Sequence, residues 1–155
     1  MKTVNKIIVA VDFSDYSVPA AQYASDLAKD VSASLLLTNV FNHRDIDMMD
    51  RAVRRFPIFT VKEYVDENLA DRRERLDALV QKIDTGKLEI DLNVCIGVPH
   101  EALLKEIDEK EPDLLIMGIK GRSNLMDVVT GSCAQRMFRR SPIPLLTIRG
   151  IQQSQ

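Results

Sequence analysis

Apolar residues in this chain fall into short dense runs, and the runs are separated by stretches with a helical beat. Lys6-Ile7-Ile8-Val9-Ala10-Val11-Asp12 is apolar at consecutive positions, as a parallel strand buried on both faces requires. Val18, Ala21, Ala24, Ala28 and Val31 then recur every three or four residues and predict a helix over 16–31. Ser14 and Asp15 can cap it, and Pro19 lies near its start, where proline is tolerated. Residues 34–41 read as a second buried strand. Residues 42–60 mix Asp, Met and Arg and contain Pro57; a functional loop, a short extra helix and a flap all remain open there. Tyr64, Val65, Leu69, Leu76, Leu79, Val80 and Ile83 form one stripe and predict a helix over 61–84, with charges elsewhere and Gly86 as a stop. Over 88–96 apolar and polar residues alternate, which predicts a strand with one wetter face, hence a sheet edge. Gly97 and Pro99 mark the turn into a helix over 99–110. A strand over 113–117, a polar stretch from Gly118 to Gly131, a helix over 132–140 and a strand over 143–149 complete the pattern.

Strands and helices thus alternate throughout, which is the signature of an α/β protein with a parallel sheet and helices on both faces. Its connections should be right-handed, and a ligand should sit at the carboxyl ends of the strands where the winding reverses. That rule points to Asp12, Val40, Gly118 and the residues after Gly118. A length of 155 residues suits one domain, expected over 1–150, with 151–155 a frayed tail. The formal net charge of −2 shows no basic excess of the kind a dominant nucleic-acid or anionic-membrane surface carries, so neither partner is expected. No apolar run approaches the length of a membrane span, and the N-terminus leads straight into a strand without a signal-peptide pattern. Cys95 and Cys133 match no metal spacing and read as free thiols in a cytoplasmic protein.

The segment with chemistry is Gly118-Ile119-Lys120-Gly121-Arg122-Ser123, followed after seven more residues by Gly131-Ser132. It leaves a buried strand and ends at a helix start. Gly118 and Gly121 can turn the chain so that successive N–H groups face one concavity, an anion-binding nest. Ser132-Cys133-Ala134-Gln135 fits a capping box with Ser132 as N-cap, and the first N–H groups of that helix suit a phosphate. Glycines at strand ends and helix caps also occur for backbone reasons alone. Neither a Walker-type Gly-Lys-Ser/Thr loop nor a Gly-x-Gly-x-x-Gly fingerprint is present. Arg136, Arg139 and Arg140 read as a solvated basic face, with phosphate or partner contact as the sharper alternative. His43 and His100 form no nucleophile–base pair.

Gly118, two residues, Gly121, nine residues and Gly131-Ser132 together resemble the ATP-binding motif of the universal stress protein family. Ile7 to Ser14, Thr38-Asn39-Val40, Gly97-Val98-Pro99 and Ser141 to Arg149 are similar to further segments of that family. The resemblance implies five parallel strands in the order 3-2-1-4-5. It implies ATP or AMP as ligand, with Mg²⁺ or Mn²⁺ accompanying the nucleotide. Carried over position by position, Asp12 would contact the ribose or a metal, and Ala10 would line the pocket. Val40 would meet adenine through its backbone, and Met117 and Gly118 would flank the ribose. Gly121, Arg122, Ser123, Gly131, Ser132 and Cys133 would surround the phosphates. Asn39, Lys120 and Cys133 depart from residues frequent in the family without removing a backbone donor. The resemblance also implies a homodimer formed through the last strand, 143–149.

Two functions follow as expectations. One is a nucleotide-dependent stress-response switch or sensor that is at most a weak ATPase. The other is a dimeric interaction module with a vestigial nucleotide site. An enzyme acting on adenylated substrates ranks below both, since the chain lacks room for a second substrate domain.

Overall fold

The computed structural model describes residues 2–120 and 131–150. Five parallel strands form one sheet: β1 (Lys6–Ala10), β2 (Ser34–Asn42), β3 (Ile90–Gly97), β4 (Leu114–Gly118) and β5 (Leu145–Ile148). Their order is β3-β2-β1-β4-β5, as the resemblance implied. The helices are α1 (Ser17–Val31), α2 (His43–Arg55), α3 (Val61–Gln81), α4 (Pro99–Lys110) and α5 (Ser132–Arg140).

The two-residue repeat of a strand sends neighbouring side chains to opposite faces of the sheet. Ile7, Val9, Leu35, Leu37 and Ile116 point to one side and pack on α1 and α3. Ile8, Leu36, Leu115 and Met117 point to the other and pack on α4 and α5. The dense apolar runs in the sequence are therefore strands covered twice. On α1 the contact surface is built from Ala20, Ala21, Ala24 and Ala28, each fully buried. Small side chains let this helix lie close over the sheet.

Element ends shift where turn chemistry takes over. β1 stops at Ala10 because Phe13 adopts a left-handed backbone (φ 62°) that turns the chain away, although the Val11 N–H still donates to Thr38 O at 2.8 Å. The 61–84 helix ends at Gln81, and Gly86 (φ 54°) belongs to the later turn into β3. Residues 42–60, for which the sequence leaves three readings open, contain a helix. Asn42 caps α2 by accepting from the Arg44 N–H at 3.1 Å. Thr60 and Glu63 form a capping box for α3. Neither Ser14 nor Asp15 caps α1 with its side chain; its N-cap is Tyr16, which makes no side-chain cap bond.

The close approach of α1 gives a direct check. Ala24→Leu forces extra carbon into a fully buried contact and should destabilise by about 1–3 kcal/mol. Urea unfolding of the variant against the parent measures it; an unchanged midpoint would show that α1 is not seated as described.

Candidate functional site

Winding reverses between β1 and β4. The chain leaves β1 over the face that carries α1 and α3, and leaves β4 for the face that carries α5. At the carboxyl ends of these strands lies a cavity of about 360 Å³. Ala10 and Asp12 reach it from the end of β1, Val40 from β2, and Met117 and Gly118 from β4. Gly131, Ser132 and Cys133 reach it from the start of α5. Eight of the eleven residues singled out from sequence thus surround one space. Gly121, Arg122 and Ser123 lie outside the described residues.

One wall is apolar: Ala10, Val40, Leu103 and Met117 present carbon to the cavity. The polar part of the lining includes Asp12. Its Oδ1 accepts from the Ser14 N–H at 2.9 Å and from the Ser17 hydroxyl at 3.0 Å. The carboxylate therefore organises the turn after β1 as well as facing the cavity. Phe13, next to it, holds its left-handed conformation against a cost of about 1–2 kcal/mol. It is fixed there by core packing and by the Arg75 guanidinium 4.2 Å over its ring.

The start of α5 differs from the sequence expectation. Gly131, not Ser132, is the N-cap, and Ser132 is the first helical residue. The reason is that the Gly131 carbonyl already accepts the first helical bond, from the Gln135 N–H at 3.0 Å. Among the described residues no side chain caps this end. The residues that carry the leading N–H groups of α5 line the cavity, and no described side chain bonds to those groups. Gly131 N–H also donates to Ile119 O at 2.8 Å, which joins the end of β4 to the start of α5.

Gly118 is a glycine for a different reason from the one the nest pattern suggests. It is not among the positive-φ residues. A Cβ built on it would lie 2.6 Å from the Tyr16 Cβ, so it is the close approach of Tyr16 that demands glycine.

Several cavity residues escape the sequence reading. Arg72 of α3 is only 7% exposed and lines the cavity. Its Nη1 donates to Asn39 Oδ1 at 2.8 Å, and its guanidinium lies 4.4 Å over the Phe41 ring. Asn39 in turn donates from Nδ2 to Val11 O at 2.7 Å. A signal exists: Arg72 stands three residues after Leu69 and four before Leu76, on the apolar stripe itself. Thr38, 1% exposed, also lines the cavity, and its hydroxyl has no hydrogen-bond partner among the described residues. Lys120, Asn42 and Asp45 stand at the same space.

A match to the model of the universal stress protein family extends over residues 3–149. The chain belongs to this family. The universal stress protein MJ0577 of Methanocaldococcus jannaschii is 20% identical over 152 residues, covering 93% of this chain and 94% of the relative. The solved structure of MJ0577 superposes with a TM-score of 0.82 at 19% identity, covering 99% of this chain and all of that one. A universal stress protein in complex with cAMP aligns with a TM-score of 0.61 at 23% identity, over 96% and 99% of the two chains. The universal stress protein from Archaeoglobus fulgidus in complex with dAMP aligns at 0.60 with 16% identity, over 95% and 99%. At these identities the likeness fixes the universal stress protein fold for this chain.

Thiol chemistry in this family member is suppressed. Burial, aided by the Asp12 carboxylate, pushes the Cys133 thiol up to about 11, and burial with Glu106 nearby does the same for Cys95. The neutral thiol is favoured in the fold, so the helix start does not activate Cys133. Iodoacetamide at pH 8 should modify the native protein about a hundredfold more slowly than the urea-unfolded chain, because the thiolate that reacts is that much scarcer in the fold. Equal rates in the two states would contradict the burial.

Proposed function

We propose that this universal stress protein binds an adenine nucleotide in the β1/β4 cavity and works as a nucleotide-dependent switch. The observation that carries the reading is the convergence on one cavity of apolar side chains, a carboxylate and a helix start that no described side chain caps. An adenine ring suits Ala10, Val40, Leu103 and Met117. A ribose hydroxyl suits Asp12, and phosphate oxygens suit the leading N–H groups of α5 with Lys120 at the same space. The partnerless hydroxyl of Thr38 marks a buried position that a polar ligand atom would satisfy. The complexes of relatives with cAMP and dAMP support the choice of an adenine nucleotide. ATP and AMP both fit the reading. Mg²⁺ or Mn²⁺ would arrive with the phosphates and meet Asp12; among the described residues no group of three or more His, Cys, Asp or Glu is placed to hold a metal alone. In this reading hydrolysis is slow or absent. Gly121, Arg122 and Ser123 would complete the phosphate contacts.

The switch element is α2. Asn42 and Asp45 bring its first turn to the cavity, while no residue of the helix is fully buried. A ligand touching that turn changes the balance of a lightly held element. With ATP and Mg²⁺ in millimolar excess, the melting temperature should rise, and amide exchange over 43–55 should slow. Asp12→Asn keeps an oxygen for the Ser14 and Ser17 bonds but removes the charge, and should weaken binding about tenfold or more. A melting curve indifferent to ATP, ADP and AMP would reject the site; a shift without any change in exchange over 43–55 would reject the switch.

A homodimer through β5 belongs to the same proposal. Among the described residues β5 is an edge strand bordered by β4, which leaves an edge that a second strand could join. Sedimentation equilibrium at micromolar protein should give the dimer mass, and a monomer there would remove this part. The rival reading, an interaction module with a vestigial nucleotide site, would retain the dimer and lose the thermal shift.

A further inference from the structure

The charge balance of the whole chain conceals a local concentration. Residues 51–62, Arg-Ala-Val-Arg-Arg-Phe-Pro-Ile-Phe-Thr-Val-Lys, contain four cations and no carboxylate. They form the last turn of α2, the connection after it and the first residues of α3. Half of the large hydrophobic side chains exposed among the described residues lie at or beside this segment: Met48 at 67%, Phe56 at 66%, Ile58 at 85% and Phe59 at 40%. Met48 and Ala52, spaced four apart, are exposed on one side of α2, and Phe56 follows exposed at its C-cap. Ile58 and Phe59 add two more exposed apolar side chains on the connection.

Arg51 and Arg55, next in sequence to Ala52 and Phe56, are exposed and have no ion pair among the described residues. Carboxylates on the two helices have other contacts: Asp50 pairs with Arg54 at 3.1 Å, Asp66 with Lys62 at 3.0 Å, Asp47 lies 3.7 Å from His43 Nε2, and Glu63 accepts from the Thr60 N–H at 3.1 Å. α2 rests on α3 and on the end of β2, with Met48 and Ala52 exposed.

From this we infer that the α2–α3 tip is a peripheral docking site for an anionic phospholipid surface. Phe56, Ile58 and Phe59 would enter the boundary between headgroups and acyl chains. Arg51 and Arg55 would reach to lipid phosphates along their methylene stems. An apolar side chain as exposed as Ile58 suits a fluid interface that closes around it, and the two arginines supply the complementary charge. No helix of the described residues is long and apolar enough to cross a membrane, so the contact is peripheral. The inference stands apart from the nucleotide cavity, which lies on the inner side of α2.

Co-sedimentation tests it, using the full chain with phosphatidylcholine vesicles that contain or lack phosphatidylglycerol. The protein should pellet with the anionic vesicles at low salt, and release as salt rises. Arg51→Gln and Arg55→Gln should each lower the vesicle affinity about fivefold. The combined Phe56→Ser, Ile58→Ser and Phe59→Ser variant should lose it. All five positions are exposed, so the melting temperature of each variant serves as the folding control and should not move. Failure to pellet with anionic vesicles overturns the proposal, as does equal binding to neutral ones. So does a variant without the three apolar residues that pellets as well as the parent. If vesicle binding is absent and that same variant converts an oligomer to monomers, a second copy of the chain covers the tip instead.

Discussion

Everything at the functional end of this molecule depends on a reversal of direction. β1 and β4 are hydrogen-bonded neighbours running the same way, but the chain leaves them toward opposite faces of the sheet. Right-handed connections make this unavoidable for the order 3-2-1-4-5. Where the two paths part, a space remains at the strand ends that Ala10, Asp12, Met117 and Gly118 line. The residues that end strands in this sequence are the ones that face it.

The space is shaped by interactions that also hold the fold together. Asp12 organises the turn that starts α1. Asn39 ties the end of β1 to α3 through Arg72, and Phe41 supplies the face on which the guanidinium lies. A buried cation is costly unless hydrogen bonds and an electron-rich surface replace its water. Here two of the partners, Asn39 and Phe41, come from β2, so that strand helps to hold α3 in register with the cavity.

Legibility in the sequence varies with the kind of residue. The central strands are legible because Ile7 to Val9, Leu35 to Leu37 and Leu114 to Met117 are apolar at consecutive positions, a pattern that burial on two faces imposes. The cavity residues are legible as strand ends and as a glycine motif. α2 is not: its inward residues Ile46, Met49 and Val53 are at best partly buried, and its helix is held by the Asn42 cap and ion pairs on its exposed face. Arg72 escapes because a charge within an amphipathic helix is ordinarily assigned to water. The Ser132 cap fails by one residue, since a glycine with a β-region backbone can precede a helix as well as a serine can. Gly118 stands out at the right position for the wrong cause, steric contact with Tyr16 rather than backbone sign.

The bond from the Gly131 amide to the Ile119 carbonyl has a structural corollary. It brings the two ends of residues 120–130 together whatever lies between them. The entropy of closing a chain segment grows only with the logarithm of its length, so residues can be added or removed there without displacing either anchor. The cavity floor thereby keeps its place whatever the length of the chain between the two anchors.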